Sequence, residues 1–147
     1  MKITAQSDHN FSLSEIKAFL RISDDQTSED DVLMSMVASA VAWYESATGV
    51  FLRTTQLTHR FSESPASIVY RPFVDLQVAL DDSSASQISS IEREDLIGGG
   101  SVFTWDALAL GAMTLILRVG HATREEIPDT AAQAVRALVA DMYVNRE

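Results

Sequence analysis

The chain has 147 residues, no cysteine, and 11 basic against 21 acidic residues, which give it a formal net charge of −10 at pH 7. Without cysteine it has no disulfides, thiolate metal sites or cysteine nucleophiles. The negative charge disfavours sequence-specific DNA binding, because affinity for nucleic acid rests largely on neutralising phosphates. No apolar core of a secretory signal follows Met1, and no apolar run approaches the roughly 20 residues that cross a bilayer. We therefore expect a soluble protein that is made in the cytoplasm and has no membrane partner.

Three segments have the apolar spacing of amphipathic helices: residues 12–22, 30–48 and 128–145. Ser12 or Ser14 can cap the first helix. The second helix carries a stripe at helical spacing, formed by Leu33, Met36, Val37, Ala40, Tyr44 and Ala47. The third helix has a dense apolar face, formed by Ala131, Ala134, Val135, Leu138, Val139, Met142 and Tyr143. These stripes predict that the second and third helices build the domain's own core.

Between the second and third helices, over residues 51–119, the hydrophobic period changes to two, which is typical of strands. Candidate strands lie at residues 55–61, 67–70, 76–80, 87–92, 101–105 and 113–119. Turn residues separate them at Asp81–Ser84 and at Gly98–Gly100. The pattern predicts one α+β domain over residues 1–147. We expect a mainly helical bundle of three or more helices, with a small antiparallel β insert between the second long helix and the C-terminal helix.

No pattern of catalytic, cofactor-binding or metal-ligating residues is present. The glycines at 98–100 are not followed by the lysine of a phosphate-binding loop, and His9, His59 and His121 are far apart in sequence. The acidic run at residues 24–31 lacks the central glycine and the terminal glutamate of a calcium loop. We therefore expect no cofactor, no metal and no enzymatic activity.

Three aromatic residues remain as candidate contacts with a partner: Trp43, Phe103 and Trp105. Trp43 lies slightly off the stripe of the second helix, and Trp105 follows the glycine turn, which could present it at an exposed tip. Aromatic anchors are enriched at protein interfaces. We predict that these residues contact a neighbouring subunit or a downstream partner.

Three stretches of the sequence resemble the phage head–tail connector (adaptor) family. Residues 13–22, LSEIKAFLRI, are similar to the family's opening L-x-E-x-K-x-x-L-R-[VI], and residues 42–49, AWYESATG, to its A-x-x-Y-x-E-x-x-T-G. Residues 117–120 lead through Ile127–Asp129 into a helix that ends in YVNRE, as in the family's closing pattern. The chain departs from the family at Arg118, where an aromatic residue is usual, and keeps only part of a proline-rich pattern at residues 71–76.

The resemblance implies a structural role in an assembled particle. Adaptor subunits are made in the bacterial cytoplasm and form a ring of about twelve copies through side-to-side contacts closed by rotation. The ring lies beneath the portal protein at the head–tail junction of a virion, prophage particle or gene transfer agent. It extends the channel for DNA, which passes without sequence-specific binding, and it receives a head-closure or tail-completion protein.

The resemblance also implies where the partners bind. The C-terminal segment of the family tends to reach the portal, so the predicted portal interface consists of Tyr143, Val144, Asn145, Arg146 and Glu147. We expect the turns near Asp81–Ser84 and residues 98–105 to face neighbouring subunits or the downstream protein.

Two other functions stay open at the level of sequence. Another morphogenesis protein of similar size, such as a head-closure or tail-terminator subunit, is disfavoured by the three helical patterns, because those proteins are dominated by β structure. A cytosolic regulatory or peptide-binding module without catalytic activity would use Trp43 or Trp105 as its anchor.

Overall fold

The computed structural model describes residues 1–81, 86–87, 91–97, 100–105 and 112–145. The helices in this part of the chain are α1 (Leu13–Leu20), α2 (Asp30–Thr48) and α3 (Asp129–Val144). The strands are β1 (Lys2–Gln6), β2 (Thr55–Phe61), β3 (Ala66–Ile68), β4 (Phe73–Asp81), β5 (Ser86–Gln87), β6 (Glu92–Asp95), β7 (Ser101–Thr104) and β8 (Met113–Val119). Within the described residues, no helix is both long and apolar enough to cross a membrane.

The strands form two antiparallel sheets. One has five strands in the order β1-β2-β8-β4-β5, and the other has three in the order β3-β7-β6. Strand β8 lies in the middle of the larger sheet and pairs along its whole length with both β2 and β4. Its alternating residues Met113, Leu115, Leu117 and Val119 are fully buried. This alternation is the period-two signal that predicts residues 113–119 as a strand.

The prediction of a mainly helical bundle with a small β insert is wrong. The middle of the chain forms two sheets, and one strand of the larger sheet, β1, precedes the first helix. Strand β1 has the sequence KITAQ, and all five of its residues are exposed, so no buried alternation marks it as a strand. It is held by pairing with β2, from Lys2 opposite Thr58 to Gln6 opposite Thr55, and these partners are far away in sequence.

The three helices enclose one hydrophobic cluster. Its buried members from the helices are Ile16, Val37, Ala40, Val41, Ala131, Ala132, Val135 and Val139. The hydroxyl of Ser12 caps α1 by accepting a hydrogen bond from the backbone N–H of Glu15 at 3.2 Å. Helix α2 ends at Gly49, which has a positive φ of 68°. The helices therefore begin and end within two residues of the bounds that their apolar spacing predicts.

A buried lysine orders the acidic segment between α1 and α2. The Lys17 ammonium lies 2.6 Å from the Asp30 carboxylate and donates hydrogen bonds to the backbone carbonyls of Gln26 at 2.8 Å and Asp24 at 3.3 Å. Its side chain is 3% exposed. A lysine loses its hydration on burial, and these three oxygen partners compensate for that loss. The segment is thus tied to α1 by an interaction that helical spacing alone does not reveal.

A buried carboxylate joins the helical part to the larger sheet. The Glu45 side chain, in α2, accepts a hydrogen bond from the backbone N–H of Leu52 at 2.9 Å. It also accepts bonds from the Gln6 amide of β1 at 3.2 Å and from the Arg53 guanidinium at 3.3 Å. One side chain therefore fixes α2 against β1 and against the segment that enters β2. Its charge is stabilised by the arginine and by two further N–H donors, the Leu52 backbone and the Gln6 amide.

Replacing Gly120 with alanine should destabilise the fold strongly. Gly120 follows β8 with a φ of 100°, and a Cβ atom there would overlap the backbone carbonyl of Arg53. Because both the backbone conformation and the clash are unfavourable, we expect Gly120→Ala to lower the free energy of unfolding by about 3 kcal/mol. Gly49→Ala is the control, since a Cβ atom at Gly49 meets its nearest neighbours at 4.0 Å. It should cost about 1 kcal/mol. Equal urea midpoints for the two variants would contradict this reading.

Replacing Glu45 with glutamine tests the link between α2 and the sheet. The amide oxygen can still accept from Leu52, but the amide N–H₂ then faces the donors of Gln6 and Arg53. Buried donors left without acceptors cost about 1–3 kcal/mol, so we expect the unfolding free energy of Glu45→Gln to fall by that amount. The measurement is urea denaturation followed by circular dichroism, with the exposed Glu63→Gln as the matched control. A Glu45→Gln curve that coincides with the control would rule out this role.

Candidate functional site: an interaction interface

Beyond its acidic first turn, the outer surface of α2 carries no charge. Between Val32 and Thr48 the only charged residue is Glu45, which is buried. The exposed residues of this helix between 32 and 47 are Val32, Ser35, Ala38, Ser39, Ala42, Trp43, Ser46 and Ala47, which we call the α2 face. Trp43 is the largest of them and is 58% exposed. In a chain of net charge −10, an uncharged helix surface with an exposed tryptophan has the composition that is typical of protein interfaces, and a contact there stays a prediction.

An open groove borders the α2 face. It lies between the C-terminal half of α2 and β1, has a volume of about 370 Å³, and is lined in part by Ile3, Ala42, Ser46 and Tyr70. We call it the amino-terminal groove. Ile3 is 46% exposed at its edge. The Glu45 carboxylate also lines the groove, but its oxygens are occupied by the hydrogen bonds described above.

Strands β6 and β7 form an antiparallel hairpin with an apolar tip. The backbone N–H of Leu96 donates to the carbonyl of Gly100 at 3.1 Å and closes the connection. Leu96 is 41% exposed, and Ile97 has a relative exposure of 108%, so its side chain makes almost no contact with the rest of the protein. We call the hairpin of β6, β7 and this tip the finger. All four residues of β6, Glu92–Asp95, are exposed.

The base of the finger is held in place by polar and aromatic contacts. The Arg93 guanidinium lies over the Phe73 ring of β4, 3.9 Å from its centroid. Asp95 accepts hydrogen bonds from Ser101 at 2.8 Å and from Arg93 Nε at 2.8 Å. These hydrogen bonds lower the pKa of Asp95 below its ordinary value, and the bond from Ser101 has the largest effect. The Asp95 carboxylate therefore stays ionised, and keeps its bonds at the base of the finger, to a lower pH than an ordinary aspartate.

Most of the basic side chains form ion pairs with carboxylates of the same chain. Within the described residues, carboxylates at 2.5–3.6 Å pair with basic side chains that include Lys17, Arg53, Arg93, Arg118, Arg124 and Arg136. Arg124, for example, forms a bidentate pair with Glu15, with distances of 2.7–3.1 Å. That hydrogen-bonded carboxylate raises the pKa of Arg124. Carboxylates therefore dominate the accessible charge of the described surface, which offers little to a nucleic-acid phosphate.

The three aromatic residues predicted as partner contacts differ in their exposure to solvent. Trp43 is exposed, whereas Phe103 is fully buried and Trp105 is 5% exposed. Phe103 and Trp105 both belong to the core cluster between the two sheets. Trp105 is thus not presented at an exposed tip, and the residues found there are Leu96 and Ile97. Sequence reasoning missed them, although two apolar residues between an acidic strand and a glycine run were a usable signal.

The predicted portal interface lies at the end of α3. The Tyr143 hydroxyl donates to the Glu29 carboxylate at 2.9 Å, which ties the end of α3 to the start of α2. Val144 is 75% exposed, and Asn145 follows as the C-cap. Arg146 and Glu147 lie outside the described residues, as do positions 82–85 and 98–99 of the predicted turns. A role of this segment in binding the portal stays a prediction.

The histidines do not come together as ligands. His121 is buried and its Nδ1 lies 2.8 Å from the Phe51 carbonyl, which is a structural contact. His59 stacks on Phe61 with ring centroids 4.2 Å apart, and burial lowers the pKa of His59. Across the ranges that the structure describes, no three histidine or carboxylate side chains are grouped closely enough to hold a metal ion.

Several solved structures share this fold. A chain in "Neck of empty GTA particle computed with C6 symmetry" has 20% identity and a TM-score of 0.77, covering 100% of this chain and 86% of that chain. A chain in "Virion of native gene transfer agent (GTA) particle" has 20% identity and a TM-score of 0.79, with the same coverage. A chain in "Neck of native GTA particle computed with C12 symmetry" has 17% identity and a TM-score of 0.73, covering 100% and 85%. At this level of identity, the likeness shows a shared fold.

Family membership comes from the sequence match. Among curated proteins, none matches this chain significantly. The family model for phage gp6-like head-tail connector proteins matches residues 10–94, which are more than half of the chain. The matched segment runs from the entrance of α1 to β6 and contains the α2 face and Glu45. The chain therefore belongs to the family of phage gp6-like head-tail connector proteins.

Proposed function

We propose that this protein is the adaptor subunit of a phage or phage-like particle. About twelve copies form a ring beneath the portal, extend the DNA channel and join the head to the next neck or tail protein. The role is structural, and no catalytic step belongs to it. The observation that carries the proposal is the match of the entire chain to proteins in gene transfer agent necks, combined with membership of the connector family.

The α2 face supports assembly with other copies. Subunits of net charge −10 repel each other, so a stable contact between them requires a surface without charge or with opposite charges. The α2 face supplies such a surface, and Trp43 at its centre can bury a large apolar area. The neck structures solved with C6 and C12 symmetry support a cyclic arrangement, in which each subunit presents two different surfaces to its two neighbours.

The charge distribution supports a channel role without DNA recognition. Because the basic side chains are largely paired within the subunit, a ring of these subunits presents mainly carboxylates to DNA. Carboxylates repel the phosphate backbone and form no sequence-specific contacts with it. DNA in such a channel is confined but not bound.

Imaging with the portal protein encoded by the same genome tests the proposed function. We expect negative-stain images of the mixture to show a second ring stacked on one end of the portal. Intact portal rings beside unattached small particles would contradict the proposal. That result would favour a cytosolic regulatory or peptide-binding module, for which the amino-terminal groove and Trp43 would be the binding surface.

Removing residues 144–147 tests the predicted portal interface. The deletion keeps Tyr143 and its bond to Glu29, so we expect the thermal midpoint to change little while docking to the portal is lost. Co-sedimentation with portal rings measures the docking. The control is Val74→Ser, which removes an exposed apolar side chain from β4, away from the end of α3. Equal co-sedimentation of the deletion variant and the control would remove this segment from the interface.

A further inference from the structure

We infer that the finger inserts its apolar tip into a pocket of a different neck protein, and that this pocket is apolar inside and bordered by lysine or arginine. The finger consists of β6, β7 and the tip residues Leu96 and Ile97. This inference rests on the proposed adaptor function and names the chemistry of one partner.

The apolar tip is available for contact with a partner, because two neighbouring large hydrophobic residues are exposed there. Ile97 is more exposed than any other large hydrophobic residue in the described part of the chain, and Leu96 beside it is also exposed. An isoleucine that stays exposed contributes no burial free energy to the folded chain, whereas a partner that covers Leu96 and Ile97 removes their apolar surface from water. Strand β7 pairs with β3 and its Phe103 is fully buried, so the finger is anchored in the smaller sheet and its apolar tip lies at an exposed end.

The described part of the finger is held in position by contacts within the chain. The Arg93 guanidinium on the Phe73 ring and the bonds of Asp95 to Ser101 and Arg93 fix the base. The backbone N–H of Leu96 also donates a hydrogen bond to the Gly100 carbonyl. A preorganised element loses little conformational entropy on binding, which favours a narrow contact built on one or two anchor residues.

The charge of the finger indicates that the partner is not another copy. Glu92 and Glu94 are exposed on β6, below the apolar tip. Within the described residues, Lys2 and Arg21 are the only basic side chains without any polar or ring contact, whereas exposed carboxylates are numerous. Carboxylates therefore dominate the charge that a second copy presents, and its uncharged α2 face offers no cation to the acidic finger. The finger is complementary to an apolar pocket with a basic border. The amino-terminal groove of a second copy has no such border, because its Arg53 is paired with Glu45, so we assign the pocket to a different protein.

The test compares binding of the full-length protein and its variants to two probes, the portal protein and the head-closure protein encoded by the same genome. We expect the wild-type chain to bind at least one of them, and Ile97→Ser to bind that probe roughly ten- to hundredfold more weakly. The double variant Glu92→Lys with Glu94→Lys should also bind it more weakly, and added salt should weaken wild-type binding. The thermal midpoint of Ile97→Ser should equal that of wild type, because the side chain makes almost no contact in the subunit.

The control for surface change is Val74→Ser, an equally conservative loss of an exposed apolar side chain outside the finger. Wild-type affinity of Ile97→Ser for both probes would overturn the inference while leaving the adaptor function intact. Loss of self-association in Ile97→Ser, measured by sedimentation, would also overturn it, because the tip would then contact a second copy. If the wild-type chain binds neither intact probe, the adaptor function itself fails and the inference fails with it.

Discussion

The arrangement of the subunit depends on one buried carboxylate. Glu45 accepts hydrogen bonds from the backbone N–H of Leu52, the amide of Gln6 and the guanidinium of Arg53. It therefore connects α2 with β1 and with the segment that enters β2. A carboxylate with this many donors is directional, whereas apolar packing tolerates small rotations. The angle between the helices and the larger sheet is therefore defined at Glu45. The same residue lines the amino-terminal groove. The position of the groove relative to the α2 face therefore depends on the same hydrogen bonds.

The described surface has three regions of different charge, a distribution that suits contacts with several different partners. The α2 face is uncharged, the finger combines an acidic strand with an apolar tip, and the remaining described surface is rich in carboxylates. A protein with these three surfaces can distinguish its partners by charge alone. Copies of itself are repelled except across the uncharged face, and a partner with a basic border is attracted to the finger.

The sequence predicts the elements of this fold better than it predicts their arrangement. The bounds of α2 and α3 and the whole of β8 follow from local periodicity, since each buries one regular face. Strand β1 was not predicted, because all its residues are exposed and its partner β2 is about fifty residues away in the chain. The buried charges of Lys17 and Glu45 were missed for a related reason. Their partners are mainly backbone atoms and distant side chains, which leave no pattern near them in the sequence. Trp105 was placed at a tip because a glycine turn precedes it, but its ring completes the core between the sheets.

The position of β8 in the larger sheet has a consequence for the timing of folding. Both β2 and β4 pair with β8, and β8 leaves the ribosome only after residues 113–119 have been synthesised. The hydrophobic cluster of the helices likewise cannot form before α3, which begins at Asp129, has been synthesised. The two cores therefore cannot both close on a nascent chain until β8 and α3 have been synthesised. Nascent chains that lack β8 and α3 therefore present no folded α2 face or groove.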